Sequence, residues 1–119
     1  MRTTIKATNI EHTVAIDAYL AKRLGELERV LPPKEQGSVV RIELGKFTKH
    51  HKSGKLFFAE ITFHVKKKDF RATAQCDDLY EAIDKMQAMI IREVKRHYEL
   101  AREVRKKGAR ELKRRIAGK

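Results

Sequence analysis

Apolar residues recur every second position in some stretches of this chain and every third or fourth in others. The switches between the two periods divide it into elements. Residues 2–8, RTTIKAT, alternate and are rich in Thr and Ile, predicting a strand with Ile5 and Ala7 turned inward. Ile16, Leu20, Leu24, Leu27 and Leu31 then form one helical stripe, with Lys22 and Arg29 on the other side. Thr13 suits the N-cap of this helix, and Pro32 and Pro33 stop it. Three stretches return to period two. Residues 39–47 place Val40, Ile42 and Leu44 on one face. Residues 56–67 place Phe57, Ala59, Ile61, Phe63 and Val65 inward and Glu60, Thr62, His64 and Lys66 outward. Residues 69–76 place Phe70, Ala72, Ala74 and Cys76 inward, after a turn around Lys67, Lys68 and Asp69. A second helix opens at DDLYEAID, where Asp78 and Glu81 have the spacing of a capping box. Its stripe is Leu79, Ile83, Met86, Ile90, Val94, His97 and Ala101, and Gly108 is expected to end or bend it.

This order, β-α-β-β-β-α, predicts an α+β fold. An antiparallel four-stranded sheet would be open on one face and carry both helices on the other, as in double-stranded-RNA-binding domains. The length suits one domain, here residues 1–107. Residues 108–119 are expected to be a basic tail, weakly helical and frayed in the free protein.

Charge changes the picture more than composition does. The formal net charge is +12, but residues 1–91 carry 16 Lys/Arg against 12 Asp/Glu, a net of +4, whereas residues 92–119 carry 12 against 4, a net of +8. Concentration at one end points to a polyanionic partner. With both stripes on the sheet, both helices turn basic residues to the same side of the molecule. Lys22, Arg23 and Arg29 from the first, and Lys85, Arg92, Lys95, Arg96, Arg102 and Lys106 from the second, form a candidate RNA-binding surface. The competing reading is a solvated face laced with pairs such as Lys95–Glu99 and Glu103–Lys107. Phe57, Phe63 and Phe70 point inward, leaving Phe47 and Phe58 as exceptions, so the sheet offers no base-stacking platform. Shape and backbone recognition of folded RNA fits better.

Other chemistry is sparse. The loop KFTKHHKSGK is basic, and His50 and His51 have no Cys or carboxylate at ligand spacing, so no metal site is expected. His97 reads as a core-edge histidine and Cys76 as a small core residue. Glu43 and Glu60 read as ion-pair partners of Arg41 and Arg71 on the open sheet face. With no nucleophile–base set and no glycine-rich phosphate loop, the expectation is neither an enzyme nor a protein with a cofactor or small-molecule substrate. A lone cysteine, no signal-like N-terminus and no apolar run of spanning length suit a cytoplasmic protein without a membrane partner.

DDLYEAID, preceded by an alternating strand, resembles the signature of the ribosome hibernation factors, also called ribosome-associated inhibitor or sigma-54 modulation proteins. HTVAIDAYLAKRLGELERV resembles their first helix, through Thr13, Ala15–Ile16, Arg23–Leu24, Leu27–Glu28 and a basic residue at 29. The resemblance covers residues 1 to about 100. It implies a protein that binds small-subunit rRNA near the decoding centre, overlaps the mRNA and A- and P-site tRNA positions, inhibits translation and protects idle ribosomes under stress or in stationary phase. It carries over Arg23, Arg29, Arg92 and Arg96 as basic contact positions. Glu26 and Met89 stand where many members have lysine, and the tail is basic where some short members are acidic. Long members pair ribosomes through a second domain for which this chain has no room, so it is not expected to do that alone; a monomer is expected off the ribosome. A generic double-stranded RNA module and a modulator of an RNA polymerase sigma subunit are the alternatives.

Overall fold

The structure is a computed structural model and describes residues 1–35, 37–48, 56–65 and 68–117. Its elements are β1 (Arg2–Thr8), α1 (Val14–Val30), a 3-10 turn at Pro33–Glu35, β2 (Val39–Lys46), β3 (Phe57–Val65), β4 (Lys68–Cys76) and α2 (Leu79–Ala117). The α+β order expected from the alternating and helical stripes is the order observed. The four strands lie in the order β1-β2-β3-β4. β2, β3 and β4 are antiparallel neighbours, with Ile42 opposite Ile61 and Ile61 opposite Ala72.

The first strand departs from the antiparallel expectation. β1 pairs parallel with β2, Ile5 beside Ile42 and Ala7 beside Leu44. A parallel pair needs a crossover of a dozen or more residues, and α1 supplies it. Asn9, at a φ of 60°, turns the chain out of β1, in a region that Asn enters more readily than most residues. Its side-chain amide donates to the Lys46 carbonyl, 3.3 Å away.

The core lies between one face of the sheet and the two helices. Val40, Ile42, Leu44, Ala59, Ile61, Phe63, Phe70 and Ala72 are buried with Leu20 and Leu27 of α1 and Ile83, Met86, Ile90 and Val94 of α2. Thr13 caps α1 as its sequence predicts, its hydroxyl accepting from the Ile16 N–H at 3.2 Å. Asp78 caps α2 by accepting from the Tyr80 N–H at 3.4 Å. Glu81 does not complete a capping box; it pairs with Lys85 one turn on. Cys76 is buried, and His97 is half-buried, edge-on to Phe70 at 5.4 Å.

Gly108 does not end α2; the helix is continuous to Ala117. Glycine in a helix costs about 1 kcal/mol relative to alanine, and strong helix formers surround this one. A helix of 39 residues is about 58 Å long, and the molecule measures 69 Å along its longest axis. The last buried residue of α2 is Val94; His97, Tyr98 and Ala101 are half-buried, and every residue from Arg102 to Ala117 is exposed. The last four turns and more therefore form an arm beyond the sheet. The basic loop with His50 and His51, and Lys66 and Lys67 of the expected β3–β4 turn, lie outside the described residues.

Candidate nucleic-acid interface

The sheet's two faces and the helices' outer faces differ in how their charges are compensated. On the open sheet face, Glu43 and Glu60 stand directly opposite each other in register. Glu60 accepts from Arg71 at 2.9 Å and from Thr73 at 3.0 Å, and the Arg71 guanidinium first, then Thr73, holds its carboxyl below the usual range against the cost of burial. Glu43 accepts from the Thr8 hydroxyl at 2.8 Å, so the expected pairing with Arg41 is replaced by a neutral donor. Phe58 folds over Gly45, where a Cβ would lie 2.5 Å from its ring and 2.8 Å from the Thr8 carbonyl oxygen. Its ring centroid is 5.1 Å from that of Phe47, and both side chains are half-buried. This face is mixed in charge and gives a polyanion no consistent field.

Between the helices lies a polar clamp. Tyr19, Arg23 and Glu26 of α1 meet Asp84 and Gln87 of α2. The Tyr19 hydroxyl donates to Asp84, Arg23 Nε donates to the same carboxylate oxygen at 2.8 Å, and Gln87 donates to Glu26 at 2.6 Å. Arg23 also reaches Glu26 at 3.3 Å and lies 5.6 Å from the Tyr19 ring centroid. Burial works against ionisation of Asp84, but the hydrogen bonds from Tyr19 and Arg23 outweigh it and hold the carboxyl below its usual range. The hydrogen bond to Asp84, chiefly, raises the Tyr19 phenol.

Arg23 is thus set apart from the other candidate cations. Its side chain is 29% exposed and is engaged by Asp84 and Glu26. Glu26, which stands where relatives of this type were expected to carry lysine, completes the clamp. The spacing 19-23-26 facing 84-87 is one flank of each helix, and those polar residues at helical intervals were the available signal for it.

The remaining candidates divide by partner. Lys85 is exposed and 3.5 Å from Glu81; Cys76 at the end of β4 and then Glu81 hold its ammonium above the ordinary range. Lys22, Arg29, Arg92, Lys95, Arg96, Arg102 and Lys106 are exposed, and among the described residues none of them enters an ion pair. The expected pairs Lys95–Glu99 and Glu103–Lys107 do not form. At about 100° per residue, the six α2 cations fall within an arc of roughly 120° opposite the buried stripe. Lys22 and Arg29 occupy exposed turns of α1 away from Leu20, Leu24 and Leu27. Arg102 and Lys106 stand on the arm, beyond the sheet. Unpaired guanidinium and ammonium groups in such rows suit phosphate oxygens, which arginine can bind through two parallel hydrogen bonds.

Replacing Asp84 by asparagine removes one of the two carboxylates of the clamp while keeping its shape. The carboxylate side chain is 40% exposed. Solvent screening therefore reduces the expected loss to about 1 kcal/mol, a few degrees in Tm for a domain of this size. Because the folded-state pKa is depressed, the contribution is complete at neutral pH and is lost as pH falls through the folded value. The Tm gap between Asp84→Asn and the parent is expected to close progressively below the ordinary aspartate value of about 3.9, as thermal melts at stepped pH will show.

Among the described residues no group of His, Cys, Asp and Glu is placed to hold a metal ion, and no helix is long and apolar enough to cross a membrane. A family model described as Sigma 54 modulation protein / S30EA ribosomal protein matches residues 3–102. No curated protein matches the chain. Among solved structures, the N-terminal domain of Thermus thermophilus Protein Y is similar at a TM-score of 0.65 and 26% identity, covering 82% of this chain and 99% of that one. A ribosomal subunit interface protein from Coxiella burnetii is similar at a TM-score of 0.60 and 16% identity, covering 80% and 97%; that likeness speaks to the fold alone.

Proposed function

The chain belongs to the Sigma 54 modulation protein / S30EA ribosomal protein family, and from that premise we propose that it is a ribosome hibernation factor. It binds small-subunit rRNA near the decoding centre and the A and P tRNA sites, excludes mRNA and tRNA, and so inhibits translation in idle ribosomes. It acts in the cytoplasm by occupancy rather than by catalysis, with no cofactor. The observation that carries the proposal is the row of exposed cations on the outer faces of α1 and α2 that no carboxylate among the described residues neutralises: Lys22, Arg29, Arg92, Lys95 and Arg96, extended by Arg102 and Lys106. Arg23 and Lys85 belong to the same surface in a lesser role, since each already has an acidic neighbour. Contacts to phosphates fix position without reading sequence, which suits a partner recognised by its shape.

Co-sedimentation with ribosomes tests this. The protein is expected to travel with the small subunit at about 50 mM salt and to dissociate steeply by about 200 mM, since each phosphate contact adds roughly 0.9 to the logarithmic salt slope. Addition of a plain RNA duplex in equal phosphate concentration should not displace it. Displacement by the duplex would favour a generic double-stranded RNA module. Failure to bind at low salt would remove the proposal.

A further inference from the structure

The arm of α2 has a second face that phosphate binding leaves unexplained. Leu100, Val104, Gly108, Leu112 and Ile116 follow one another at intervals of four, which makes them one continuous ridge along the helix. The four large members are 56%, 70%, 61% and 67% exposed, in that order. Gly108 sits at the centre of the ridge, and a Cβ there would meet nothing within 4 Å. Large apolar residues on both sides of a central notch are what a second helix needs in order to cross with its backbone close.

At the root of the arm, beside the ridge, lies a cleft of about 940 Å³. Its apolar lining includes Val65, Tyr98 and Ala101, and the exposed Lys34, Lys68 and Arg105 stand around it. The Tyr98 hydroxyl is buried there without a hydrogen-bond partner among the described residues, and burial, then Glu35, raises its pKa. A buried hydroxyl without a partner is costly, and an arriving acceptor would relieve it.

Charge decides which occupant fits. Residues 102–117 carry eight cations against Glu103 and Glu111, a net of 8 − 2 = +6. Arg102, Lys106, Arg110 and Arg114 lie opposite the ridge, while Arg105, Lys107, Lys113 and Arg115 lie on or beside it. A second copy of this chain would set +6 against +6 across the crossing. An acidic partner would be attracted. We propose that this ridge and cleft dock an acidic amphipathic helix of another protein, with its apolar side over Gly108 and its carboxylates toward Arg105 and Lys107. The cations on the opposite side remain available for phosphate, so this docking does not rest on the ribosomal role. A single helix pair this short falls at the small end of interface sizes, below about 1,200 Å² in total, so it suits a transient complex.

The test is an NMR titration of the full chain with a synthetic 18-residue peptide that has leucine at every fourth position and is otherwise rich in glutamate. Expected are shifts at residues 97–117 and at the cleft residues Lys34, Val65 and Lys68, and a Kd in the tens of micromolar. A scrambled peptide of the same composition should bind at least tenfold more weakly. Val104→Ser with Leu112→Ser should weaken the ordered peptide at least tenfold while leaving every cation in place. Gly108→Leu should do the same although it favours the helix, which separates a filled notch from a melted arm; Gly108→Ala should change affinity less than threefold. Equal binding of the scrambled peptide, or unchanged binding by the Gly108→Leu or double-serine chain, would overturn the proposal. So would a dimer in equilibrium sedimentation that the double-serine change abolishes, since the ridge would then serve a second copy.

Discussion

Arg92→Glu together with Arg96→Glu is expected to lower ribosome affinity more than about 100-fold at low salt and to abolish inhibition of translation, with the fold intact. Both side chains are exposed on α2 and neither has an acidic partner among the described residues. Reversal therefore removes two cations from the phosphate-facing row and puts two anions in their place, a change of four in net charge. The logarithmic salt slope should fall by about 0.9 for each phosphate no longer neutralised. The cost to stability is small. The introduced carboxylates stand four residues apart and repel by only about 0.2–0.5 kcal/mol, and the nearest buried residues, Ile90 and Val94, are untouched. Tm should stay within about 2 °C of the parent. Inhibition of an in vitro translation reaction and ribosome binding across a salt series measure the two effects. Retained inhibition by a folded variant would contradict the role given to α2.

The particular residues show what sequence alone can carry. Period-two alternation located three strands to within about two residues, because each is buried on one face and a slip of one residue would expose every core side chain. Ile16 to Leu31 and Leu79 to Val94 likewise had one burial solution each. β1 was found, but its direction was not, because alternation records which face is buried and not which neighbour is parallel. Gly108 was expected to end or bend the helix, and it does not end it. A local preference of about 1 kcal/mol is small against the formers on either side of it. The candidate surface was legible as a set of exposed cations, since charge at helical spacing opposite an apolar stripe has few other places to go. Arg23 was the exception: whether a cation faces solvent or a carboxylate on another helix depends on a contact 61 residues away in sequence, and no local pattern reports that. The ridge at Leu100 to Ile116 was not among the sequence expectations, whose stripe ended at Ala101; only a helix unbroken past Gly108 sets those residues in one line.

Removing residues 108–119 is expected to weaken ribosome binding by at least tenfold at about 50 mM salt and to flatten the salt slope, with no loss of fold. The deleted segment holds Arg110, Lys113, Arg114, Arg115 and Lys119 against Glu111. Were all five cations on phosphate, the slope would fall by up to about 4.5. The core ends at Val94 and no described residue beyond Ala101 is even half-buried, so truncation uncovers no core side chain and Tm should be nearly unchanged. The slope is the informative quantity, because it counts neutralised phosphates while affinity alone does not. An arm that trails free in solution would leave the slope of the parent unaltered. If the arm adds only the apolar docking proposed for its ridge, its removal would lower affinity for an acidic helix without touching the salt slope on ribosomes. A flatter slope on truncation, with the double-serine chain keeping the parent slope, would place phosphate on one side of the same helix and a protein on the other.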